Sequence, residues 1–177
     1  MSMAVEISSA LVLRIMRSVW IASDKDGVIG PPWEKCGILR GRGGRITVAD
    51  WTENVSETPR TAFEIAPAQL LAAYKQARKP RALELLGFFH THLSGSAWPS
   101  ERDASSAAPD GKLWLIATEL QARLWRAVPE GKVLGRFDPV RFDLKVGNRV
   151  EKDRLEVQHV DFGRSPEDFV ITMEPPL

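Results

Sequence analysis

The sequence predicts an α/β (α+β) fold in which a mixed β-sheet is flanked by helices. Two segments, residues 8–22 and 67–78, place apolar side chains at the spacing of a helix that buries one face. Short apolar or β-branched runs of strand length lie at 36–41, 45–51, 82–89, 113–118 and 122–128. Since neither an internal repeat nor a low-complexity segment interrupts this alternation, the pattern predicts one mixed domain.

The segments that separate these elements carry turn and helix-end signals. The first helix aligns Leu11 with Ile15, and the glycine- and proline-containing residues 26–32 end it. Pro67 begins the second helix, because proline suits a first helical turn. The apolar positions of this helix are Leu70, Leu71, Tyr74 and Ala77. A further short helix is predicted at 100–108, before Pro109-Asp110-Gly111, and a turn near Glu119.

The C-terminal part of the chain has a weaker pattern. The 177 residues are enough for one domain with a sizeable core. After about Phe142 the sequence becomes charged, with a possible strand at 155–160 that could cover the sheet or belong to a loosely held tail. We therefore expect a domain over residues 1–145 and an extension of unknown role over 146–177.

Composition narrows the classes of partner and compartment. The formal net charge of +1 gives no strong attraction to nucleic acid or to an anionic membrane. The single cysteine excludes an internal disulfide. Glu6 and Arg14 interrupt the N-terminal apolar residues, which is unlike a secretory signal. No apolar run approaches the roughly 20 residues needed to span a bilayer. We expect a cytoplasmic protein.

Two of the chain's three histidines, His90 and His92, end the predicted strand over 82–89. Side chains at positions i and i+2 of a strand point the same way, so the two imidazoles should project together. Asp103, at the start of the next predicted helix, can fold back over the strand end and add a carboxylate. Two imidazoles and one carboxylate are a common ligand set for catalytic zinc, with the fourth position left to water.

Local alternatives remain open for these residues. A His-x-His pair in a strand is often structural, and Ser100 followed by Asp103 is also the pattern of a helix capping box. Ser100 could cap the helix and still serve a site. We expect His159, in the weakly patterned C-terminal region, not to be a ligand. Cys36 could be a nucleophile, but it has no local partner and begins an apolar strand, which favours a buried, inert thiol.

The spacing of the whole set favours the metal site over these alternatives. The chain has Glu34, then His90-Thr91-His92, seven residues, Ser100, two residues and Asp103. This order resembles the JAMM (MPN+) metalloprotease motif, which reads Glu, His-Ser/Thr-His, seven residues, Ser, two residues, Asp. The match has neither a gap nor a substitution. The flanking segments "EKCGILRG", "RTAFEIAPAQLLAAYKQAR", "GFFHTH" and "PSERD" resemble family segments as well.

The resemblance covers about residues 4–140 and implies both a fold and a division of roles. The implied fold is the compact prokaryotic JAB/MPN type, a curved mixed sheet flanked by helices and similar to cytidine deaminases. His90, His92 and Asp103 would ligate Zn²⁺. Glu34 would hydrogen-bond the zinc-bound water, take its proton and pass it to the leaving amine. Ser100 would help the zinc to stabilise the oxyanion.

Three positions depart from the family's pattern. Leu93 replaces a proline that often follows the second histidine, which changes the loop and not a ligand. Arg40 replaces an apolar residue, and we expect it to place a charge near the rim of the cleft. The residues after about Lys145 resemble no family segment that we can place, so no role is assigned to them.

The resemblance also implies a class of substrate. Family members cut isopeptide or peptide bonds after the C-terminus of ubiquitin or ubiquitin-like proteins. Only about 20 residues separate Phe63 from Glu84, which leaves little room for insertions that grip two ubiquitins. We therefore expect one extended Gly-Gly tail, from a ubiquitin-like or sulfur-carrier protein, as substrate of a zinc isopeptidase or peptidase. The alternatives are a deconjugating zinc hydrolase of a defence or modification system and a metal-free scaffold of the same fold.

Overall fold

One curved, mixed β-sheet organises the chain. The structure, a computed structural model, describes residues 4–20, 32–93, 95–146, 159–161 and 170–172. The helices in these ranges are α1 (Ser9–Arg17), continued by a 3₁₀ turn (Ser18–Trp20), α2 (Pro67–Ala77) and α3 (Glu101–Ser106). The strands are β1 (Val5–Ser8), β2 (Cys36–Arg42), β3 (Arg45–Thr52), β4 (Glu84–Thr91), β5 (Leu113–Ala117), β6 (Gln121–Gly131), β7 (Gly135–Val140), β8 (Phe142–Lys145), β9 (His159–Asp161) and β10 (Val170–Thr172).

The strand order puts β4 near the middle of the sheet. Among the described residues the order is β8-β1-β3-β2-β4-β5-β6-β10-β9, and β7 also pairs with β6. β4 runs antiparallel to β2 and parallel to β5. The β2–β3 hairpin turns at Gly43 and Gly44, whose φ angles of 58° and 81° are costly for residues with a side chain. A central strand is paired on both sides, so its C-terminal end is a rigid platform for side chains.

The first face of the sheet packs against α1. The amphipathic helix turns Leu11, Val12, Ile15 and Met16 inward, and its Arg14 guanidinium donates to the Ala49 carbonyl on β3 at 3.2 Å. Burying such apolar side chains contributes on the order of 2 kcal/mol each. The cluster also contains Val5, Ile7, Leu39, Ile46, Ala49, Phe89, Leu113, Leu115, Ala117, Ala122, Leu124 and Phe142.

The second face carries α2, α3 and two smaller apolar clusters. Cys36, Ile38 and Ile65 form the first, against which Leu70 of α2 packs. The second cluster contains Ala97, Ala107, Trp114, Ile116, Trp125, Ala127 and Phe137. The partly buried Phe63 and Phe88 pack against both clusters. This aromatic-rich face leads directly to the end of β4 where the two histidines lie.

The structure confirms the predicted mixed fold and corrects some boundaries. The helix predicted over 8–22 begins one residue later, since Ser8 ends β1, and it is α-helical to Arg17 with a 3₁₀ turn over 18–20; residues 21–22 lie outside the described residues. Leu71, assigned above to the apolar face of α2, is 55% exposed. Of the possible strand at 155–160, residues 159 and 160 lie in β9, whereas 155–158 lie outside the described residues. No helix within the described ranges is both long and apolar enough to cross a membrane.

Candidate metal centre

Three side chains with metal-ligand atoms converge beside the C-terminal end of β4. The Nε2 atoms of His90 and His92 are 3.0 Å apart. His90 Nε2 lies 3.2 Å from one carboxylate oxygen of Asp103, and His92 Nε2 lies 3.4 Å from the other. One ligand atom from each residue lies within 4.8 Å of the others. The predicted trio is therefore brought together, with both imidazoles directed to one carboxylate.

The orientation of His92 is set by a backbone carbonyl. Its Nδ1 is 3.0 Å from the carbonyl oxygen of Ser96. Because a carbonyl only accepts, Nδ1 must carry the proton, and in the neutral ring Nε2 then has a free lone pair facing the trio. This outer hydrogen bond is the usual device that fixes the tautomer of a metal-binding histidine.

The orientation of His90 comes from packing. Its ring is fully buried and stacks on Phe63, with centroids 4.3 Å apart and planes 22° apart. Trp114 meets the same ring edge-on at 5.9 Å. The buried Nδ1 of His90 has no hydrogen-bond partner among the described residues. Burial lowers the pKa of His90, which favours the neutral imidazole that a metal requires.

Asp103 is held in place by the start of α3. The backbone N–H and the hydroxyl of Ser100 donate to Asp103 Oδ2 at 2.7 and 2.8 Å, and the Asp103 N–H donates back to the Ser100 hydroxyl at 3.1 Å. The predicted capping box is thus present. Burial alone would raise the pKa of Asp103, but His90, His92 and the Ser100 N–H hold it far below its usual value. The carboxylate is therefore ionised.

The loop between the histidines and α3 is anchored to β6. The indole N–H of Trp125 donates to the Ala97 carbonyl at 3.0 Å. Trp98 lies against the Trp125 ring with centroids 5.0 Å apart, and the Arg123 guanidinium lies 5.3 Å from the Trp98 centroid. These contacts fix the path along which the chain returns Asp103 to the end of β4.

The donor set fits a zinc ion. Two imidazole nitrogens and a carboxylate oxygen are ligands that Zn²⁺ commonly takes in catalytic sites. His92 offers a lone pair because its proton lies on Nδ1, and Asp103 offers a negative charge. Burial opposes protonation of His92, yet its hydrogen bonds to Asp103 and to the Ser96 carbonyl raise its pKa. The same environment that attracts a proton to this point would attract a metal cation.

Glu34 lies opposite His92, just before β2. Cys36 is directly opposite His90 in the β2–β4 ladder, and the Thr91 N–H donates to the Lys35 carbonyl at 2.9 Å. Continuing this antiparallel register by one pair sets Glu34 against His92. Glu34 is only 6% exposed. Burial raises its pKa from 4.5 to about 7, with Asp103 adding to the effect and His92 opposing it.

Cys36 is a buried thiol beside the site. Its Sγ lies 3.4 Å from the Thr52 hydroxyl. Burial raises the pKa of the thiol to about 11, so it is protonated at neutral pH. The expected burial of Cys36 is confirmed, and its protonated state speaks against the nucleophile alternative.

A cleft of about 750 Å³ lies on the second face of the sheet, beside aromatic side chains that pack on His90. Phe63, which stacks on His90, is part of its wall together with Phe88 and Trp114. Arg102 lies at the same cleft and donates to the Thr58 hydroxyl at 2.8 Å, which links α3 to the loop before α2. The cleft is large enough for a few residues of an extended peptide.

Sequence reasoning overlooked the contacts that support the motif residues. Phe63, the stacking partner of His90, and Asn54, a partner of Glu34, lie in loops without periodicity. The motif defines Thr91 only as the residue between two histidines, whereas in the structure its hydroxyl accepts from the Lys35 N–H at 2.8 Å. Arg40 pairs with Asp50 on β3, towards the end of β2 that is remote from Glu34.

The sequence model of the family described as prokaryotic homologues of the JAB domain matches residues 16–128. The chain belongs to this family. The chain is 31% identical to a desampylase of Haloferax volcanii over 97 residues, which are 53% of this chain and 69% of the relative. It is also 31% identical to a desampylase of Pyrococcus furiosus over 86 residues, which are 49% of this chain and 60% of that relative.

A solved structure supports the fold independently. The solution structure of a protein from Desulfitobacterium hafniense superposes with a TM-score of 0.63 and 22% sequence identity. The similarity covers 81% of this chain and 94% of that chain. At this level of identity the likeness concerns the fold alone.

Proposed function

We propose that the protein is a zinc-dependent isopeptidase or peptidase that hydrolyses the amide bond after the C-terminal tail of a ubiquitin-like or sulfur-carrier protein. One observation supports this most strongly. His90, His92 and Asp103 present a zinc-type donor set, and the buried Glu34, whose pKa is raised to about 7, lies just before the neighbouring strand β2. The similarity to two desampylases agrees with a deconjugating hydrolase.

The residues divide the work of amide hydrolysis between them. His90, His92 and Asp103 would hold Zn²⁺, which when bound lowers the pKa of a water to about 7 and polarises a carbonyl. Glu34 accepts the proton of the attacking water as the new C–O bond forms. It then gives this proton to the nitrogen as the C–N bond breaks, which yields a carboxylic acid and an amine; the acid then loses its proton, and the products at neutral pH are a carboxylate and an ammonium group. The raised carboxyl pKa, about 7 in the metal-free protein, makes Glu34 a better proton acceptor than an exposed glutamate.

Ser100 has a structural role and, in this proposal, a catalytic role as well. Its hydroxyl donates to Asp103 Oδ2 and accepts from the Asp103 N–H. The side chain is exposed, so the hydroxyl can rotate its proton toward the oxyanion while it continues to accept from Asp103. Ser100 thereby both positions Asp103 and stabilises the developing negative charge.

The cleft beside Phe63 gives the tail a place to bind. It is open to solvent on the second face of the sheet, and its wall residue Phe63 stacks on the buried His90. A Gly-Gly end lets the substrate backbone approach the centre closely, because glycine carries no side chain. We place the protein in the cytoplasm, where its single thiol would stay reduced.

The proposal is tested with a cleavable tail. The purified protein is incubated with a ubiquitin-like protein extended by a short peptide after Gly-Gly, and with the same protein joined to a lysine side chain. Mass spectrometry should detect cleavage after the second glycine, loss of cleavage with a chelator, and recovery with Zn²⁺. A matched substrate ending in Ala-Ala should be cut far more slowly. An unchanged rate of cleavage in the presence of the chelator would refute the zinc mechanism. Absence of cleavage of every tested tail would favour the metal-free scaffold.

A further inference from the structure

Asn54 uses its whole side-chain hydrogen-bonding capacity on backbone groups around the site. Its Nδ2 donates to the carbonyl oxygens of Glu34 at 2.9 Å and Ala62 at 3.0 Å. Its Oδ1 accepts from the N–H groups of Ser56 at 3.1 Å and Glu64 at 3.0 Å. A primary amide offers two donor hydrogens and two acceptor lone pairs, so these four bonds are its full complement.

These contacts attach Glu34 to the loop that precedes α2. The Glu34 N–H donates to the Pro59 carbonyl at 2.7 Å, and the Glu34 carbonyl accepts from Asn54. Both backbone groups of Glu34 are therefore bonded to the segment 54–64. Glu34 precedes the first residue of β2, so its backbone depends on these contacts in place of the regular ladder.

The same segment also touches the metal-binding trio. Phe63, between the two loop residues Ala62 and Glu64 that bond to Asn54, stacks on His90. Asn54 therefore connects the backbone of Glu34 to the residues on either side of the ring that packs on His90. Asn54 is therefore, beside the bonds between Thr91 and Lys35, one of the connections that set the distance between Glu34 and the trio.

We propose that Asn54 is a positioning residue of the hydrolase: it holds Glu34 in register with the His90, His92 and Asp103 centre. Its catalytic meaning rests on the proposed function, whereas its hold on the Glu34 backbone does not. A misplacement of about 1 Å in a catalytic group can cost on the order of 100-fold in rate. The proposed metal ligands lie at the end of β4, directly after it and on α3, so loss of Asn54 should leave metal binding largely intact.

Two substitutions of Asn54 distinguish the hydrogen bonds that its side chain donates from those that it accepts. Asn54→Asp keeps the size and can still accept from Ser56 and Glu64, but it cannot donate to the carbonyls of Glu34 and Ala62. Asn54→Ala removes all four bonds. The matched control is Gln69→Ala, because Gln69 Oε1 accepts from the N–H of Glu53, next to Asn54, and has no bond to Glu34.

The kinetic test uses the ubiquitin-like protein with a cleavable extension after Gly-Gly. In Asn54→Asp we expect kcat to fall on the order of 10- to 100-fold, with KM and zinc content nearly unchanged. Gln69→Ala should keep close to normal kcat. In a Glu34→Gln background, measured by single turnover, Asn54→Asp should cause little further loss, because the proton acceptor that it positions is already gone. Independent, multiplying losses would overturn the proposal.

A second readout needs neither metal nor substrate. Amide hydrogen exchange, followed by NMR on the metal-free protein, reports the Glu34 N–H that is bonded to Pro59. Both Asn54 variants should speed this exchange, and Gln69→Ala should not. Unchanged protection of the Glu34 N–H in the variants would overturn the positioning role. Faster exchange in a protein whose wild type cuts no tail would retain Asn54 as the anchor of Glu34 and reject the proposed function alone. If Asn54→Ala does not fold, Asn54→Asp decides the question.

Discussion

The hydroxyl of Thr91 accepts a hydrogen bond from the backbone N–H of Lys35 at 2.8 Å. The Thr91 N–H in turn donates to the Lys35 carbonyl at 2.9 Å. This pair of bonds extends the β2–β4 pairing beyond Cys36 and sets Glu34 against His92. The residue between the two histidines therefore aligns the segment that carries the proposed general base.

Replacing Thr91 should disturb the alignment of the Glu34 segment with β4 without affecting metal binding. Thr91→Val keeps the shape but leaves the Lys35 N–H without its acceptor, which costs about 1–3 kcal/mol of unfolding free energy. We expect this loss in urea titrations of the metal-free protein, together with reduced turnover and normal zinc content. Thr91→Ser keeps the hydroxyl and should behave nearly as the wild type. Equal stability and activity of the two variants would show that the hydroxyl has no part in alignment.

The thiol of Cys36 should be dispensable. It is buried, and its pKa is raised to about 11, so the thiolate is scarce at neutral pH. Cys36→Ser should retain most of the turnover, and iodoacetamide should leave the folded wild type active. Thermal unfolding of the variant checks that the fold is kept. A folded Cys36→Ser protein with no activity would restore the nucleophile alternative.

The buried carboxyl of Glu34 should make the metal-free protein less stable as the pH rises. Its pKa is about 7 in the folded protein and about 4.5 when exposed. The folded state therefore binds more protons than the unfolded state between these values, and stability falls with increasing pH across that window. Relative to Glu34→Gln, the wild type should lose on the order of 3 kcal/mol between pH 4.5 and 7.5.

Urea titrations at pH 4.5, 6 and 7.5, with a chelator present, measure this difference. The two proteins should be closest in stability at the lowest pH, where Glu34 is neutral, and Glu34→Gln should be the more stable at pH 7.5. Other titrating groups are common to both proteins and largely cancel in the comparison. If the unfolding free energies of the two proteins changed in parallel with pH, burial would not destabilise the Glu34 carboxylate.

Local sequence signals were sufficient for the strands around the site but not for β1 and β7. The alternation and length of the runs in β2 to β6 predict strands because each is apolar over several residues. β1 is only Val5–Ser8, and its partners are β3 and β8, far along the chain. β7 contains Pro139, which argues against a strand except at positions that need no N–H donor. β1 therefore depends on pairing with distant segments, which periodicity does not reveal, and β7 on a hairpin with β6 in spite of its proline.

In the candidate site, too, some features could be predicted from local sequence and others could not. The period of two in a strand predicts that His90 and His92 point together, and the structure agrees. The place of Glu34 beside them follows from the resemblance, since nothing local distinguishes it from an exposed glutamate. The roles of Phe63 and Asn54 could not be predicted from the sequence. The stacking of a ring and the bonding of an amide to backbone groups depend on how a loop folds over the sheet.

The paired zinc content and turnover of Glu34→Gln and His92→Ala test the central claim most directly. Glu34→Gln keeps the shape of the side chain but cannot accept a proton, so it should hold about one zinc per chain and lose on the order of 10² to 10⁴ in turnover. His92→Ala should lose zinc and turnover together, because two remaining ligands hold the ion poorly. Normal turnover of Glu34→Gln, or loss of its zinc, would contradict the assignment of Glu34 as the base beside a His90, His92 and Asp103 metal site.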